Sequence, residues 1–519
     1  MASPSASEPV TPLFGTTRAL AAVSIALASF ISVVDITIAN VSVPTISGNL
    51  GVSPEEGEWI MTSFAIANAI CIALTGWLSR RFGQVRLFIA SVAAFTIASV
   101  LCGLASSFEA LLVFRVLQGA FSGPIQPLSL ALLVAIFPPK LQAPAAAMWA
   151  MTAMGGPVVG PILGGWITDQ YSWPWIFLVN APIGICVVTS TFFLLRRRDT
   201  PALRLPVDIP GLILVVGAIG CLQVTLDRGR TLDWFSSPFI CTTAVLAALG
   251  FILLVIWELG ESHPIIDLRL FTYRNFTVGT TAVAVGFGLY FAALVLVPLW
   301  LQTNMGYTST WAGLVTAPIG VFGILLAPFI GQWVRRTDAR LFASFAFVAF
   351  ALVAWWRSTM TTEVDAGTVA LACLGQGVGM GFFLTPLVSL SLVGLPLEKV
   401  AAAVGLQTAI RMMSGSFLAS LAQTFWDQRA RFHQTHLVET LTPFNDQTFG
   451  IMALLRKGGL SEDQTWGVIA HQLDVQAHML SLNDFFIFST FAFAAGLGIV
   501  WFARTPRKAS NPIRQTRDK

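Results

Sequence analysis

Apolar stretches recur along the chain, each bounded by charged or turn-forming residues, and most reach the roughly 20 residues that a helix needs to cross a bilayer. They predict helices over residues 19–43, 58–78, 87–105, 110–135, 143–168 and 175–195. A polar break at 196–207 precedes a pair at 209–226 and 238–257, and after a linker at 258–276 come 277–299, 311–334, 341–356, 367–393, 400–424 and 483–503. The fold class is therefore an all-α polytopic membrane protein of fourteen transmembrane helices, arranged six, two, six. Its divisions are a tail at 1–17, a six-helix bundle at 18–195, two additional helices with flanking linkers at 196–276, a second six-helix bundle at 277–503 and a tail at 504–519.

The two bundles resemble each other. Gly76-Trp77-Leu78-Ser79-Arg80-Arg81 recurs, in modified form, as Gly331-Gln332-Trp333-Val334-Arg335-Arg336, an offset of 255, and Gln118-Gly119 recurs as Gln376-Gly377, an offset of 258. Parallel repeats of this kind build many secondary transporters, with the substrate site between the halves near the midplane. If Met1 lies inside, alternate loops become cytoplasmic and hold most of the 30 Lys and Arg. The positive-inside rule then places both termini in the cytoplasm.

Composition agrees: 55% of residues are hydrophobic and only 11% charged, against about 25% charged in soluble domains. Basic residues occur in short clusters at helix ends, so no nucleic-acid surface is expected. All six cysteines lie in apolar segments, which excludes a disulfide framework and gives no metal-ligand spacing. None of the five lysines lies in a phosphate-binding loop, so no ATP site is visible and no cofactor is expected. His433, His436, His471 and His478 cluster in one polar segment with spacing that fits a solvated helix. The first apolar run is too long for a signal peptide and should remain as a helix.

Asp35 is the one full charge between Arg18 and Glu55. A carboxylate within the bilayer costs about 3 kcal/mol on insertion scales, so it is expected to have a task or a partner. Thr37 and Asn40 add polar groups near it. Two arginines lie within helices, Arg115 at a depth similar to Asp35 and Arg411 near the middle of the thirteenth helix. Arg115 could reach Asp35, and Arg411 could face a central cavity, pair with Asp35 across the halves or meet an anionic substrate. Gln118, Gln126, Gln376 and Gln407 are further polar points for the substrate cavity.

The stretch Gly155-Gly156-Pro157-Val158-Val159-Gly160-Pro161-Ile162-Leu163-Gly164-Gly165 is the most specific in the chain. Gly156, Gly160 and Gly164 repeat every fourth residue, a smooth face that admits a close neighbour, and the two prolines each remove a backbone donor and bend the helix. At the other extreme, the polar segment 426–482 is far longer than the usual helix connection. Gly458-Gly459 should stop one helix there, and Ser461-Glu462-Asp463-Gln464 has the capping-box pattern for the next, with Trp466, Ile469, Leu473 and Val475 on one face. This segment reads equally as a lid on its own bundle and as a docking surface for another protein.

These motifs together resemble the major facilitator superfamily. Gly-Pro-Val-Val-Gly-Pro-Ile-Leu-Gly-Gly is similar to its antiporter signature, Leu78-Ser79-Arg80-Arg81-Phe82-Gly83 to its loop between helices two and three, and Arg115-Val-Leu-Gln118-Gly119 to its fourth-helix motif. The run from Asp35 to Pro44 resembles the first helix of the 14-helix drug:proton antiporter family. Leu226-Asp227-Arg228-Gly229, Asp233 to Ser237 and Pro264 to Leu268 are similar to the EmrB-type multidrug exporters. One departure is Ser79, where the superfamily usually has an aspartate thought to latch the loop. Gly76, Arg80, Arg81 and Gly83 complete that loop motif.

The resemblance implies proton-coupled export of hydrophobic or amphipathic compounds by alternating access, with Asp35 exchanging its proton for substrate and Arg115 tuning its affinity. It implies a bacterial inner membrane, a periplasmic adaptor protein and an outer-membrane channel as partners, and no catalysis of a covalent reaction. Residues 426–482 are the candidate adaptor contact, and the Gly/Pro helix the candidate moving seam. Two alternatives stand beside this: a dedicated exporter of an anionic metabolite such as a fatty acid or siderophore, with Arg411 as counter-ion, and a membrane receptor or scaffold that moves no substrate.

Overall fold

Every predicted apolar run is helical in the computed structural model, which describes residues 13–138, 141–200, 208–229, 231–261, 264–334, 337–440 and 461–504, with a few positions between 452 and 458. The first six helices are α1 (Gly15–Leu50), α2 (Trp59–Phe82), α3 (Gln84–Gly103), α4 (Phe108–Ile136), α5 (Gln142–Gln170) and α6 (Trp175–Leu195). Then come the inserted pair, α7 (Ile209–Gly229) and α8 (Pro238–Gly260). The second bundle contains α9 (Arg274–Thr303), α10 (Ser309–Thr316 continued by Ile319–Trp333), α11 (Ala339–Arg357), α12 (Ala366–Leu392), α13 (Leu397–Thr440) and α14 (Glu462–Trp501). Eleven spans among the described residues are long and apolar enough to cross a membrane, and no strand occurs among those residues.

The repeat is visible in how the helices break. α4 is interrupted at Gly123-Pro124, where proline lacks the donor a continuous helix needs. Its counterpart α12 is interrupted one residue further along the repeat, at Phe382-Phe383. Large apolar side chains such as Ile213, Val245, Ile252 and Ile256 are exposed on the inserted pair. A soluble surface avoids such a belt; lipid covers it.

The polar segment is organised differently from expectation. α13 does not end near 424 but continues to Thr440, and the last span does not begin at 483 but at Glu462, running unbroken to Trp501. The expected capping box is present: the Ser461 hydroxyl accepts from Gln464 N, and the Gln464 side chain accepts from Ser461 N. No proline occurs between Glu462 and Trp501, so nothing stops the helix at the membrane surface. The base of this hairpin packs on itself: Trp426 Nε1 donates to the His478 carbonyl at 2.9 Å, and Arg429 Nε and His433 Nε2 both meet Asp484 Oδ2, at 2.7 and 2.8 Å. Leu473 and Val475 are buried, Ile469 is half-buried and Trp466 is exposed, so the expected single face is only partly covered. Gly458 is a turn; Gly459, Arg335 and Arg336 lie outside the described residues.

The halves approach at both faces. At the face bearing Gly15 and Trp501 (the terminal face), α2 meets α13, and a Cβ on Gly76 would lie 3.5 Å from Ala402 Cα. At the opposite (distal) face a Cβ on Gly313 would lie 3.6 Å from Ile162, joining α5 to α10. Of the inserted pair, α7 lies against α2 and α13, and α8 packs on α7. Near the distal face Gln223 donates to Ser416 and Trp234 to Thr424, both at 2.9 Å. At the terminal face the linker after α8 accepts from Arg80 through the Pro264 carbonyl at 3.3 Å and pairs Asp267 with Lys399 at 3.5 Å.

Candidate functional site

Asp35 and Arg115 form an ion pair at 2.9 Å with neither side chain exposed. A buried pair persists only if its remaining donors and acceptors are also satisfied, and here they are. Gln118 Nε2 and Asn180 Nδ2 each donate to Asp35 Oδ1 at 2.8 Å. Arg115 also donates to Gln118 Oε1 at 2.7 Å and, through Nε, to the Ile60 carbonyl at 3.1 Å. Ser99 binds both amides, accepting from Gln118 at 3.1 Å and from Asn180 at 3.0 Å, and its hydroxyl donates to the Phe177 carbonyl at 2.9 Å. The Phe64 ring lies under the guanidinium at 4.2 Å.

Local sequence explains the assembly. Arg115 and Gln118 are three residues apart on α4 and so share one face. Asn180 opens the long part of α6, just after the break that follows Leu178. Ser99 faces inward from α3. All these helices belong to the first bundle, so the carboxylate is enclosed within one half rather than facing the other. That settles its partner as Arg115.

Arg411 sits elsewhere, buried at the junction of the halves. Its guanidinium lies 5.4 Å from the Trp149 ring of α5 and 4.8 Å from the Phe287 ring of α9, an arrangement that stabilises a cation. Trp149 Nε1 donates to the Gln126 carbonyl, and Gln126 Nε2 to Ser29. Arg411 Nη2, Gln407 Nε2 and Gln126 Oε1 are buried with no hydrogen-bond partner among the described residues. Native interiors rarely leave polar atoms so. Gln407 and Arg411, one turn apart on α13, therefore present two unused donors where the bundles meet.

The other expected cavity residues are used differently. Gln118 belongs to the Asp35 network. Thr37 donates to the Gly156 carbonyl at 3.2 Å and serves helix packing, and Asn40 is exposed. Gln376 accepts from Arg357 at 2.6 Å inside the second bundle. Arg357 itself is 3% exposed, although an apolar run ending at Trp356 places it outside the membrane. The repeat carries the missed signal: Arg357 follows Ser99 by the same 258 residues that separate Gln376 from Gln118.

The glycine face of α5, the helix expected to be the moving seam, packs on α1 in its own bundle, while Ile162 of the same stretch meets α10 of the other half. A Cβ on Gly164 would lie 2.6 Å from the Ile38 carbonyl oxygen, one on Gly155 would lie 3.5 Å from the Phe30 ring, and Cβ atoms on Gly156 and Gly160 would collide with Val33 and Thr37. Gly165 is buried, and Pro157 and Pro161 lie within the unbroken α5. The loop motif is latched despite Ser79, because Asp199 supplies a carboxylate from beyond α6. It accepts from Val85 N at 2.9 Å and Arg86 N at 3.3 Å, capping α3. Gly83 adopts φ of 89° directly against that carboxylate, a conformation and a spacing that only glycine allows. Arg81 lies over Trp77 at 5.5 Å.

Residues 25–420 match the family model described as Major Facilitator Superfamily. The chain is 44% identical over 496 residues to the multidrug export protein EmrB of Escherichia coli K12, covering 95% of this chain and 97% of that protein. It is 43% identical over 495 residues to the fatty acid resistance protein FarB of Neisseria gonorrhoeae, covering 95% and 98%. Among solved structures, the human organic anion transporter MFSD10 shares the fold with a TM-score of 0.55 at 12% identity, covering 92% of this chain and 99% of that one.

Proposed function

This chain belongs to the Major Facilitator Superfamily, among its EmrB-type exporters, and we propose that it exports hydrophobic or amphipathic compounds in exchange for protons. The observation that carries this reading is the sealed Asp35–Arg115 pair. Ionised, Asp35 is held by Arg115, Gln118 and Asn180. A proton arriving at Oδ2 removes the charge, leaving Arg115 buried without its anion, a state costly enough to drive rearrangement of α1 against α4. Return of the proton restores the pair. Coupling this cycle to the opening and closing of the α2–α13 and α5–α10 contacts gives alternating access driven by the proton gradient.

The membrane is then a bacterial inner membrane, with both termini cytoplasmic and the helical hairpin at 426–440 and 462–482 in the periplasm. That hairpin exposes Phe432, Val438, Trp466 and Val468, a surface suited to a periplasmic adaptor leading to an outer-membrane channel. A second reading, export of anionic amphiphiles such as fatty acids, is favoured by the unused donors of Arg411 and Gln407. The relative named for fatty acid resistance is in keeping with it.

The deciding experiment is efflux of ethidium and of oleate from proteoliposomes with and without a pH gradient, comparing wild type with Asp35→Asn. Gradient-dependent efflux by wild type and its loss in the variant are expected. Full gradient-driven transport by Asp35→Asn would refute the mechanism, and absence of flux in wild type would leave a receptor or scaffold.

A further inference from the structure

Asp227 stands in the last turn of α7, at the distal face, where the inserted pair meets both bundles. The groups nearest its carboxyl on α7 and α2 are neutral: Gln223 Nε2 donates to Oδ1 at 3.0 Å, and the Thr62 hydroxyl of α2 lies near the same carboxyl. The nearby charges are Glu58, at the start of α2, and Arg228, its neighbour on α7. Those two pair with each other at 3.0 Å, and Arg228 also lies over the Trp59 ring at 5.3 Å. From α13 the facing groups are uncharged: Ser416, which accepts the other Gln223 proton at 2.9 Å, and Ser420, whose hydroxyl donates to the Leu226 carbonyl at 2.5 Å.

One stretch of α2 touches both this carboxyl and the Asp35–Arg115 pair. The Ile60 carbonyl accepts from Arg115 Nε at 3.1 Å, and Phe64 stacks on the same guanidinium at 4.2 Å. Thr62, between them in sequence, reaches Asp227 instead. The helix turn beside Asp227 is therefore the one that also positions Arg115.

We infer that Asp227 is a second proton-binding carboxyl of the transport cycle, linked to the Asp35–Arg115 pair through the first turns of α2. The inference rests on the reading of this chain as a proton-coupled exporter. As a carboxylate, Asp227 accepts from Gln223. When a proton from the distal solution binds at Oδ1, no other covalent bond is made or broken; that oxygen becomes a hydroxyl donor and accepts less well from the Gln223 amide. That amide also holds Ser416, so proton uptake loosens the inserted pair from α13 while shifting α2 beside Arg115.

The test joins a spectroscopic and a transport measurement on the full-length protein in lipid. In pH-difference infrared spectra, wild type should show carboxylic C=O bands, one of which is absent in Asp227→Asn while that of Asp35 persists. In proteoliposomes, using whichever of ethidium and oleate wild type moves, Asp227→Asn should keep substrate exchange at equal pH but lose gradient-driven accumulation by about tenfold or more. Asp227→Glu should restore accumulation and shift the band. An unchanged spectrum, or undiminished accumulation, in Asp227→Asn overturns the proposal. So does loss of exchange together with accumulation in both variants, the mark of an anchoring role. If Asp227→Asn fails to fold, the Glu variant decides alone: an unshifted band overturns the proposal. Failure of wild type to move either compound counts against the exporter reading instead.

Discussion

Arg115 and Asp35 meet at 2.9 Å with no exposed atom on either side chain, inside a single six-helix bundle. Removing one partner of such a pair costs about 3–5 kcal/mol because the other charge is left buried. Asp35→Asn and Arg115→Met should each lower the thermal midpoint in detergent and lose gradient-driven transport. The double variant should regain most of the stability and none of the coupling. If the double variant melts below both single variants, the pair is not what holds these helices.

Ser99 and Asn180 hold the network without carrying charge. Asn180→Leu removes one donor to the carboxylate, and hydrogen bonds to charged groups contribute about 1.5–3 kcal/mol. Transport in this variant should persist with its pH profile displaced. A profile identical to wild type would show that Asn180 does not bear on the proton site.

Arg411 should discriminate by substrate charge. Arg411→Ala is expected to reduce efflux of oleate by about tenfold or more while ethidium efflux is retained, as expected when a buried counter-charge is removed. Equal loss of both compounds would assign Arg411 to the packing of Trp149 and Phe287 rather than to substrate.

The glycine face of α5 leaves no space for side chains. Gly164→Leu forces the helix away from the Ile38 carbonyl, and overpacking of this kind costs about 1–3 kcal/mol. The thermal midpoint should fall more for Gly164→Leu than for Gly217→Leu on α7, where nothing lies within 4 Å of the added Cβ. Equal effects would show that α1 and α5 are not tightly joined.

Gly83 tests the latch that replaces the usual loop aspartate. Its positive φ and the adjacent Asp199 carboxylate make Gly83→Ala a strained change, by about 1–3 kcal/mol. Asp199→Asn should weaken the same α3 cap while leaving the backbone unstrained. The two variants together should lose less than the sum of their separate effects, measured as thermal midpoints, because both act on one contact.

The sequence by itself determined the apolar spans, the repeat and the family, because apolar length and boundary charges are local properties; it did not show that α13 and α14 extend beyond their apolar parts. It also singled out Asp35, Arg115, Gln118 and Arg411, since a charge or amide in a bilayer is costly wherever the chain carries it. Tertiary structure alone decided which of these meet. Asn180 and Ser99 look ordinary in sequence, and only the convergence of α1, α3, α4 and α6 brings them to the carboxylate. Arg357 escaped because hydropathy ends its helix one residue early. The α5 glycines specify a close approach but not to which helix, and the answer, α1, lies over a hundred residues away. Pairing between distant helices depends on side-chain fit across the bundle, which a one-dimensional pattern does not encode.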